Sequence, residues 1–231
     1  MTAPPRQLTL DWPHPPSFAP EDFLPAASNR EALDAIGRWP AWAGRMLLLV
    51  GPEGSGKSHL GALWARKAAA AVLQAPRLGE IEIGTSADNA ALLIEDADRV
   101  GAEEARLFHI VNAVMQSERW ALLTARAAPD AWGLGTPDLL SRLRLAPLVR
   151  LGAPDSALIE AVLVKLFSDR QLLVDPKVAA FIAVRLERSL AAARAIVAAL
   201  DREALSRGRR VTRAMAAEML REAPPGEEGP A

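Results

Sequence analysis

Gly51-Pro52-Glu53-Gly54-Ser55-Gly56-Lys57-Ser58 is the stretch that predicts the fold, because it matches the phosphate-binding loop pattern GxxxxGK(S/T). It follows the apolar run Met46–Val50 and precedes a helical pattern, the strand-to-helix context that such a loop requires. Glycines let successive backbone N–H groups turn toward phosphate oxygens, and the next helix adds its positive dipole end. We therefore expect nucleoside phosphate binding, with Lys57 on the β- and γ-phosphates and Ser58 on Mg²⁺.

The composition indicates a folded protein without disulfides or structural metal. The 231 residues are 50% hydrophobic, which suffices for a sizeable core and for two lobes. There is no cysteine and there are three scattered histidines, so neither a disulfide framework nor a metal cluster is expected. The N-terminus lacks a signal pattern and no apolar run reaches about 18 residues, so we expect a cytoplasmic protein with no membrane partner. The net charge of −1 argues against a broadly basic surface but leaves local basic patches open.

Short apolar runs alternate with helical patterns from residue 29 to residue 153, which is typical of a parallel sheet covered by helices. A helix is predicted to begin at Ser28, an N-cap residue type followed three positions later by Glu31. The structure of residues 74–90 is ambiguous. We predict an α/β nucleotide-binding domain over 29–153, with strands at 46–50, 71–73, 91–94, 121–124 and 148–151.

Strand patterns stop after residue 153, whereas helical patterns continue. N-caps at Asp155 and Asp175 and the Ala-rich run Ser189–Ser206 predict three helices, and Thr212 opens a fourth. We therefore expect an all-helical lid domain over 154–221, followed by a disordered tail over 222–231. The proline-rich residues 1–28 are predicted to be extended.

Two acidic residues, Glu95 and Asp96, follow the strand predicted at 91–94. A phosphate-loop NTPase places its Mg²⁺-organising and water-orienting carboxylates here, although capping of the next helix is a competing interpretation. Glu95 stands at the metal-side position where Asp is usual. Its extra methylene is expected to displace Mg²⁺ by more than the ~1 Å that catalysis tolerates, so we expect weak or absent intrinsic hydrolysis of ATP. Thr124 ends the next strand and is a candidate contact to the γ-phosphate or the attacking water, although a β-branched residue also suits a strand.

Arg142 lies in the predicted helix Pro137–Leu143. An arginine at a helix edge is suited to reach a partner's nucleotide, where it stabilises the developing phosphoryl charge. From the residues alone, an ordinary surface arginine is the simpler interpretation.

Taken together, the chain resembles the AAA+ replication initiators of bacteria and, among them, the DnaA-related Hda family of regulatory inactivators. The resemblance runs from about Gln7 to Leu220. It is most specific at five places: Gln7–Trp12, Phe23–Ala32, the phosphate loop with Ser58-His59-Leu60, Pro137–Leu143, and Arg185–Arg188.

The resemblance implies that the N-terminal peptide binds the sliding clamp of the DNA polymerase. In the sequence Gln7-Leu8-Thr9-Leu10-Asp11-Trp12, Gln7 is expected to enter a small polar site, while Leu10 and Trp12 fill an apolar pocket. Leu8 is a further candidate clamp-binding residue. Such a pattern also arises by chance in proline-rich segments, and packing of Trp12 on the core is the alternative.

The resemblance also implies further contacts to a bound nucleotide, ADP or ATP. The segment Phe23–Ala32 is similar to the one that packs against adenine, so Phe23 and Asn29 join the loop and His59 as candidate nucleotide ligands. For His59 no acid–base role is expected. If Mg²⁺ binds, Ser58 and Glu95 are its candidate ligands.

Two arginines acquire roles from the resemblance alone. Arg142 corresponds to the arginine finger of the family. Arg185–Arg188 is expected to open the lid helix, but Ala191 stands where the family supplies a nucleotide-sensing arginine. Arg188 or Arg194 would therefore have to substitute.

The function implied is negative regulation of chromosomal replication initiation. The peptide would tether the protein to a DNA-loaded clamp, and Arg142 would promote hydrolysis of ATP bound to the initiator DnaA. No helix-turn-helix pattern follows the lid, so autonomous sequence-specific DNA binding is not expected, and homo-oligomerisation stays open. The alternatives are a self-sufficient oligomeric AAA+ ATPase that acts as a loader or remodeller, and a non-enzymatic adaptor that sequesters clamp and initiator.

Overall fold

The computed structural model describes residues 19–80 and 90–222. The peptide Gln7–Trp12 therefore lies outside the described residues, and so does the predicted tail apart from Glu222, which ends a helix. Two compact units are present, one ending at Ala153 and the other beginning at Pro154. Of the helices in the described ranges, none combines the length and the apolar character needed to cross a membrane.

A five-stranded parallel sheet forms the centre of the first unit, which confirms the α/β fold predicted from the sequence. The strands pair in the order β2-β3-β4-β1-β5, so β1 lies between β4 and β5. Because all strands are parallel, their carboxyl ends meet at one edge, where loops after parallel strands usually bind ligands. The bounds are β1 Met46–Val50, β2 Ala71–Gln74, β3 Ala91–Glu95, β4 Trp120–Ala125 and β5 Leu148–Arg150.

Helices cover both faces of this sheet, which is why the strands are apolar throughout rather than alternating. Leu47 and Leu49 pack toward one helical layer, and Leu48 and Val50 toward the other. The first layer contains α1 Arg30–Gly37 and α2 Lys57–Ala68. The second contains α3 Glu104–Met115 and α4 Pro137–Leu145.

Four of the six tryptophans pack together on the α1 and α2 side. The ring centroids of Trp42 and Trp64 lie 5.4 Å apart in a stacked arrangement, and Trp39 and Trp120 meet this pair edge-on. Trp120 begins β4, so the cluster lies toward the end of the sheet where the strands start. Each such aromatic pair adds about 0.5–1.5 kcal/mol beyond area burial.

The second unit is helical, and side-chain oxygens cap the starts of its helices. Asp155 accepts a hydrogen bond from the Leu158 backbone N–H at 2.7 Å, and Asp175 accepts one from Lys177 at 2.9 Å, which confirms both predicted N-caps. A common core includes Leu163, Ile182, Val197 and Leu200. The helices are α5 Ser156–Asp169, α6 Pro176–Ala183, α7 Leu190–Arg207 and α8 Arg213–Glu222.

Two local predictions are wrong. Asn29, not Ser28, is the N-cap of α1, and its side chain instead closes the preceding loop by accepting from Ala26 N–H at 2.8 Å and donating to the Leu24 carbonyl at 3.0 Å. Arg185–Arg188 does not open a helix, because it lies in the connection between α6 and α7. The helix starts later because the Ser189 hydroxyl accepts from the Ala192 N–H and caps α7 there.

Candidate nucleotide-binding site

The loop between β1 and α2 has the backbone geometry that only glycine adopts easily. Gly54 has φ of 71° and Gly56 has φ of 103°, both in the left-handed region. Gly51 is constrained differently: a Cβ there would lie 2.5 Å from the Leu151 carbonyl oxygen, which follows β5. The glycines of the motif therefore satisfy the turn and the close packing of the loop against the neighbouring strand.

Lys57 is the first residue of α2, and its side chain lies over the loop. Its Nζ donates hydrogen bonds to the carbonyl oxygens of Gly51 at 2.7 Å and Pro52 at 2.8 Å. Burial lowers the pKa of Lys57 below its ordinary value, whereas the nearby carboxylates of Asp96 and Asp98 act to raise it. A buried cation at the head of the helix suits a bound phosphate anion.

Asp96 and Thr124 lie together at the carboxyl ends of β3 and β4. The Asp96 backbone N–H donates to Thr124 Oγ1 at 3.2 Å, and Asp96 adopts a left-handed conformation with φ of 53°. Thr124 is 1% exposed. The structure thus brings the predicted residues Lys57, Asp96 and Thr124 to one edge of the sheet.

Glu95 is directed to a different partner. Its Oε2 accepts a hydrogen bond from Gln74 Nε2 at 3.0 Å, across the paired strands β2 and β3. The carboxylates that act on the Lys57 pKa are those of Asp96 and Asp98. A metal-ligand role for Glu95 stays a prediction.

Sequence reasoning missed Asp98. It lies in the single turn Ala97–Arg99, and within the described residues its Oδ1 is buried without a hydrogen-bond partner. The available signal was a further acidic residue two positions after Asp96. The site therefore contains one more candidate carboxylate than the motif predicts.

The remaining loop residues differ in burial and in their partners. In the described part of the chain, the Ser55 hydroxyl is buried without a hydrogen-bond partner. Ser58 is exposed in the first turn of α2, and Glu53 pairs with Arg126 at 2.9 Å.

Residues 19–80 and 90–222 contain no group of three or more His, Asp or Glu side chains placed to hold a metal. Mg²⁺ does not require such a cage, because it takes one or two carboxylates and completes its shell with phosphates and water.

Phe23 and His59 contact each other beside the start of α2. Their ring centroids are 5.4 Å apart with near-perpendicular planes, and His59 Nε2 lies 3.1 Å from the Ala19 carbonyl oxygen. Asn29 is 4% exposed, and its amide is used inside the preceding loop. Contacts from these three residues to a nucleotide stay predictions.

Known structures with the same architecture include replication initiators and a branch migration motor. Domain III of the Thermotoga maritima replication initiation protein DnaA has a TM-score of 0.75 at 18% identity, covering 91% of this chain and 98% of that chain. The fold is that of an AAA+ nucleotide-binding domain. AMPPCP-bound DnaA from Aquifex aeolicus has a TM-score of 0.68 at 16% identity, over 83% of this chain and 67% of that chain. The Thermotoga maritima RuvB Holliday junction branch migration motor has a TM-score of 0.60 at 18% identity, over 77% and 61%. No protein-family model matches the sequence, and a search of curated proteins gave no match.

Two further predicted residues, Arg142 and Arg188, have no described contact with the loop Gly51–Ser58. The Arg142 guanidinium carbon lies 5.4 Å from the centre of the Phe108 ring, in the helical layer on the other face of the sheet from α2. Arg188 is exposed and belongs to the second unit. The arginine-finger role of Arg142 and the nucleotide contact of Arg188 stay predictions.

Proposed function

We propose that this protein binds an adenine nucleotide at residues 51–58 and promotes hydrolysis of the ATP held by the replication initiator DnaA. The observation that carries the nucleotide site is the convergence of Lys57, Asp96 and Thr124 beside a loop with left-handed glycines. The similarity to a DnaA structure with bound AMPPCP supports an adenine nucleotide, ADP or ATP, as the ligand.

We further propose that its own turnover of nucleotide is slow. Glu95 is hydrogen-bonded to Gln74, which holds it toward β2. When bound with the nucleotide, Mg²⁺ would neutralise phosphate charge, with Ser58 and a neighbouring carboxylate as its protein ligands. The Asp96 N–H donates to Thr124, and its carboxylate acts on the pKa of Lys57, so Asp96 is the candidate for that carboxylate.

The position of Arg142 supports action on the nucleotide of a different molecule. An arginine that serves a partner's nucleotide must project from the surface rather than turn into its own site. Arg142 is half-exposed over Phe108, and that ring restrains the guanidinium through a cation–π contact. There it would stabilise the charge that develops as the initiator's ATP is hydrolysed.

The peptide Gln7–Trp12 is proposed to tether the protein to the sliding clamp on DNA. A short peptide buries little surface and binds weakly on its own. Tethering to a ring on DNA would raise the local concentration of Arg142 near the initiator. The clamp and DnaA are therefore the proposed partners, and negative regulation of initiation is the proposed outcome, at the replisome.

The first experiment tests nucleotide binding with Lys57→Ala. Loss of a charged hydrogen-bond donor to phosphate costs about 2–3 kcal/mol, so ADP affinity should fall roughly 30- to 150-fold. Lys67→Ala is the matched control, because Lys67 lies on the same helix and its Nζ is at 3.4 Å from the carbonyl oxygens of Gly37 and Trp39. Equal ADP affinity in both variants would refute the assignment of the site.

The second experiment follows the conversion of DnaA-bound ATP to ADP in the presence of DNA-loaded clamp. Conversion should require Arg142 and should also be lost in the Gln7→Ala/Leu10→Ala double variant. Arg144→Ala is the control, since Arg144 lies on the same helix and pairs with Asp130. If the initiator's ATP is untouched while free ATP is hydrolysed in a Lys57-dependent manner, the self-sufficient ATPase is correct. If the Arg142→Ala variant inhibits replication initiation as strongly as the wild type, the adaptor is correct.

A further inference from the structure

We propose that the helical unit binds the phosphodiester backbone of nucleic acid through a surface formed by Arg185, Arg209, Arg210 and Arg213, which we call the arginine surface. This binding would be independent of the phosphate loop and of the proposed action on the initiator. The arginine surface would contact the phosphate charges and not the bases, so this binding differs from sequence-specific DNA binding.

Two of the four arginines are ordered by a single aromatic ring. The guanidinium carbon of Arg185 lies 4.1 Å from the centre of the Phe181 ring, and that of Arg213 lies 4.5 Å from it. Arg185 also donates from Nη1 to the Phe181 carbonyl oxygen at 3.1 Å. Two like charges are thereby held close together on an exposed part of α6, its following turn and the start of α8. An anion that binds beside this ring would offset their repulsion.

The charge of this surface is not neutralised within the protein. In residues 19–80 and 90–222, none of the four arginines forms an ion pair, and all four are exposed. Two acidic side chains of α7 and α8, Glu203 and Glu218, pair with Arg207 instead.

The excess of positive charge is local, because the whole chain has a net charge of −1. Residues 185–222 contain nine arginines against five acidic residues. The arginines are Arg185, Arg188, Arg194, Arg202, Arg207, Arg209, Arg210, Arg213 and Arg221, and the acids are Glu187, Asp201, Glu203, Glu218 and Glu222.

A groove adjoins the arginine surface and adds apolar contacts. Gly208, with φ of 59°, ends α7 and turns the chain, so Arg209 and Arg210 line this groove together with Leu173 and Leu205. These leucines are 77% and 59% exposed. Asp201 also lines the groove, and its carboxylate is 3.5 Å from Arg170. Basic and apolar groups side by side suit the phosphates and the bases of a single strand.

The spread of the arginines favours a phosphodiester chain as the ligand. They come from two segments rather than from one loop: Arg185 follows α6, and Arg209, Arg210 and Arg213 run from the end of α7 to the first residue of α8. Nucleic acid supplies one negative charge at every nucleotide, and guanidinium groups bind phosphate oxygens in a bidentate manner.

The test measures binding of the full chain to labelled single-stranded and duplex DNA of about 20 nucleotides across roughly 50–300 mM salt. An Arg185→Ala/Arg213→Ala double variant should weaken binding at least tenfold at the lowest salt. It should also reduce the slope of log K against log salt by about 1.4 for single strands or about 1.8 for duplex. Arg185→Lys/Arg213→Lys should restore most of the slope, because the charges remain.

The matched control is Arg45→Ala/Arg77→Ala, which removes two charges from the first unit. Arg45 pairs with Glu118 and Arg77 pairs with Glu80, so this variant should bind DNA as the wild type does. Normal ADP binding by the Arg185/Arg213 variant would separate this surface from the phosphate loop. The proposal is overturned if the salt slope does not change. It is also overturned if polyglutamate competes as well as DNA at equal charge, which would assign the surface to an acidic protein.

Discussion

Gly51→Ala is the most exacting test of how the phosphate loop is built. The Cβ of alanine would lie 2.5 Å from the Leu151 carbonyl oxygen and 3.0 Å from Leu151 Cβ. The closest atom belongs to the backbone, so no side-chain rotation relieves the contact. Leu151 is itself tied to β1, because its N–H donates to the Val50 carbonyl at 2.7 Å. Either the loop or the end of β5 must move.

The cost of that movement follows from other overpacked sites. Forcing an additional carbon into a packed position typically costs about 1–3 kcal/mol. We therefore expect the free energy of unfolding of the first unit to fall by this amount. Displacement of the loop should also weaken ADP binding.

Tryptophan fluorescence during urea unfolding follows this unit. The tryptophans of the described residues lie in the first unit, and none follows Trp132 in the sequence. Gly44→Ala is the control, because a Cβ at Gly44 meets nothing within 4 Å among the described residues. A loss below about 0.5 kcal/mol in Gly51→Ala, as expected for an unconstrained surface site, would refute the close contact.

Other parts of the structure give three further predictions. Thr124→Val should destabilise the first unit by about 1–3 kcal/mol, because the Asp96 N–H loses its acceptor. Thr124→Ser, which keeps a hydroxyl, should restore most of the lost stability. Equal urea midpoints for the valine variant and the wild type would contradict this prediction. Hydrogen bonds from Thr136 and a neighbouring backbone N–H lower the pKa of Glu104 below its ordinary 4.5, so its stabilisation is complete above that pH and disappears as the pH falls below it. Glu104→Gln should therefore destabilise the protein at about pH 7 and much less at about pH 3, and an equal effect at both would show that the carboxylate charge does not matter. Asp155→Ala removes the N-cap of α5 and should lower the stability of the second unit by about 1 kcal/mol. Circular dichroism is the measurement, because residues 154–231 contain no tryptophan, and an unchanged midpoint would contradict the capping role.

The sequence was a good guide wherever a local pattern determines the structure. Apolar runs gave the five strands, since buried parallel strands need no alternation. Asp155 and Asp175 predicted helix starts because a short acidic side chain reaches the free N–H groups of its own helix. The glycines of the motif Gly51–Ser58 predicted the backbone geometry of the loop, because few residue types other than glycine tolerate the positive φ of Gly54 and Gly56.

Features that depend on contacts between distant residues could not be read in this way. Ser28 has the right residue type for a cap, but Asn29 is placed there by bonds to the loop before it. Glu95 follows the strand as the motif predicts, and only the pairing of β2 with β3 reveals that Gln74 binds it. The paired arginines at Phe181 are 28 residues apart in sequence, as Arg185 and Arg213, and no periodicity connects them.

The two hydrogen bonds from Lys57 to the Gly51 and Pro52 carbonyls have a thermodynamic consequence for ligand choice. The ammonium group has three N–H donors, and the loop carbonyls accept two of them. A ligand that draws more than one donor must therefore displace a loop carbonyl, so the loop competes with its own ligand. An uncharged nucleoside offers nothing in exchange, whereas a diphosphate offers stronger, charge-assisted acceptors. Discrimination in favour of phosphorylated ligands is therefore present in the loop itself, as an exchange of partners at one nitrogen atom.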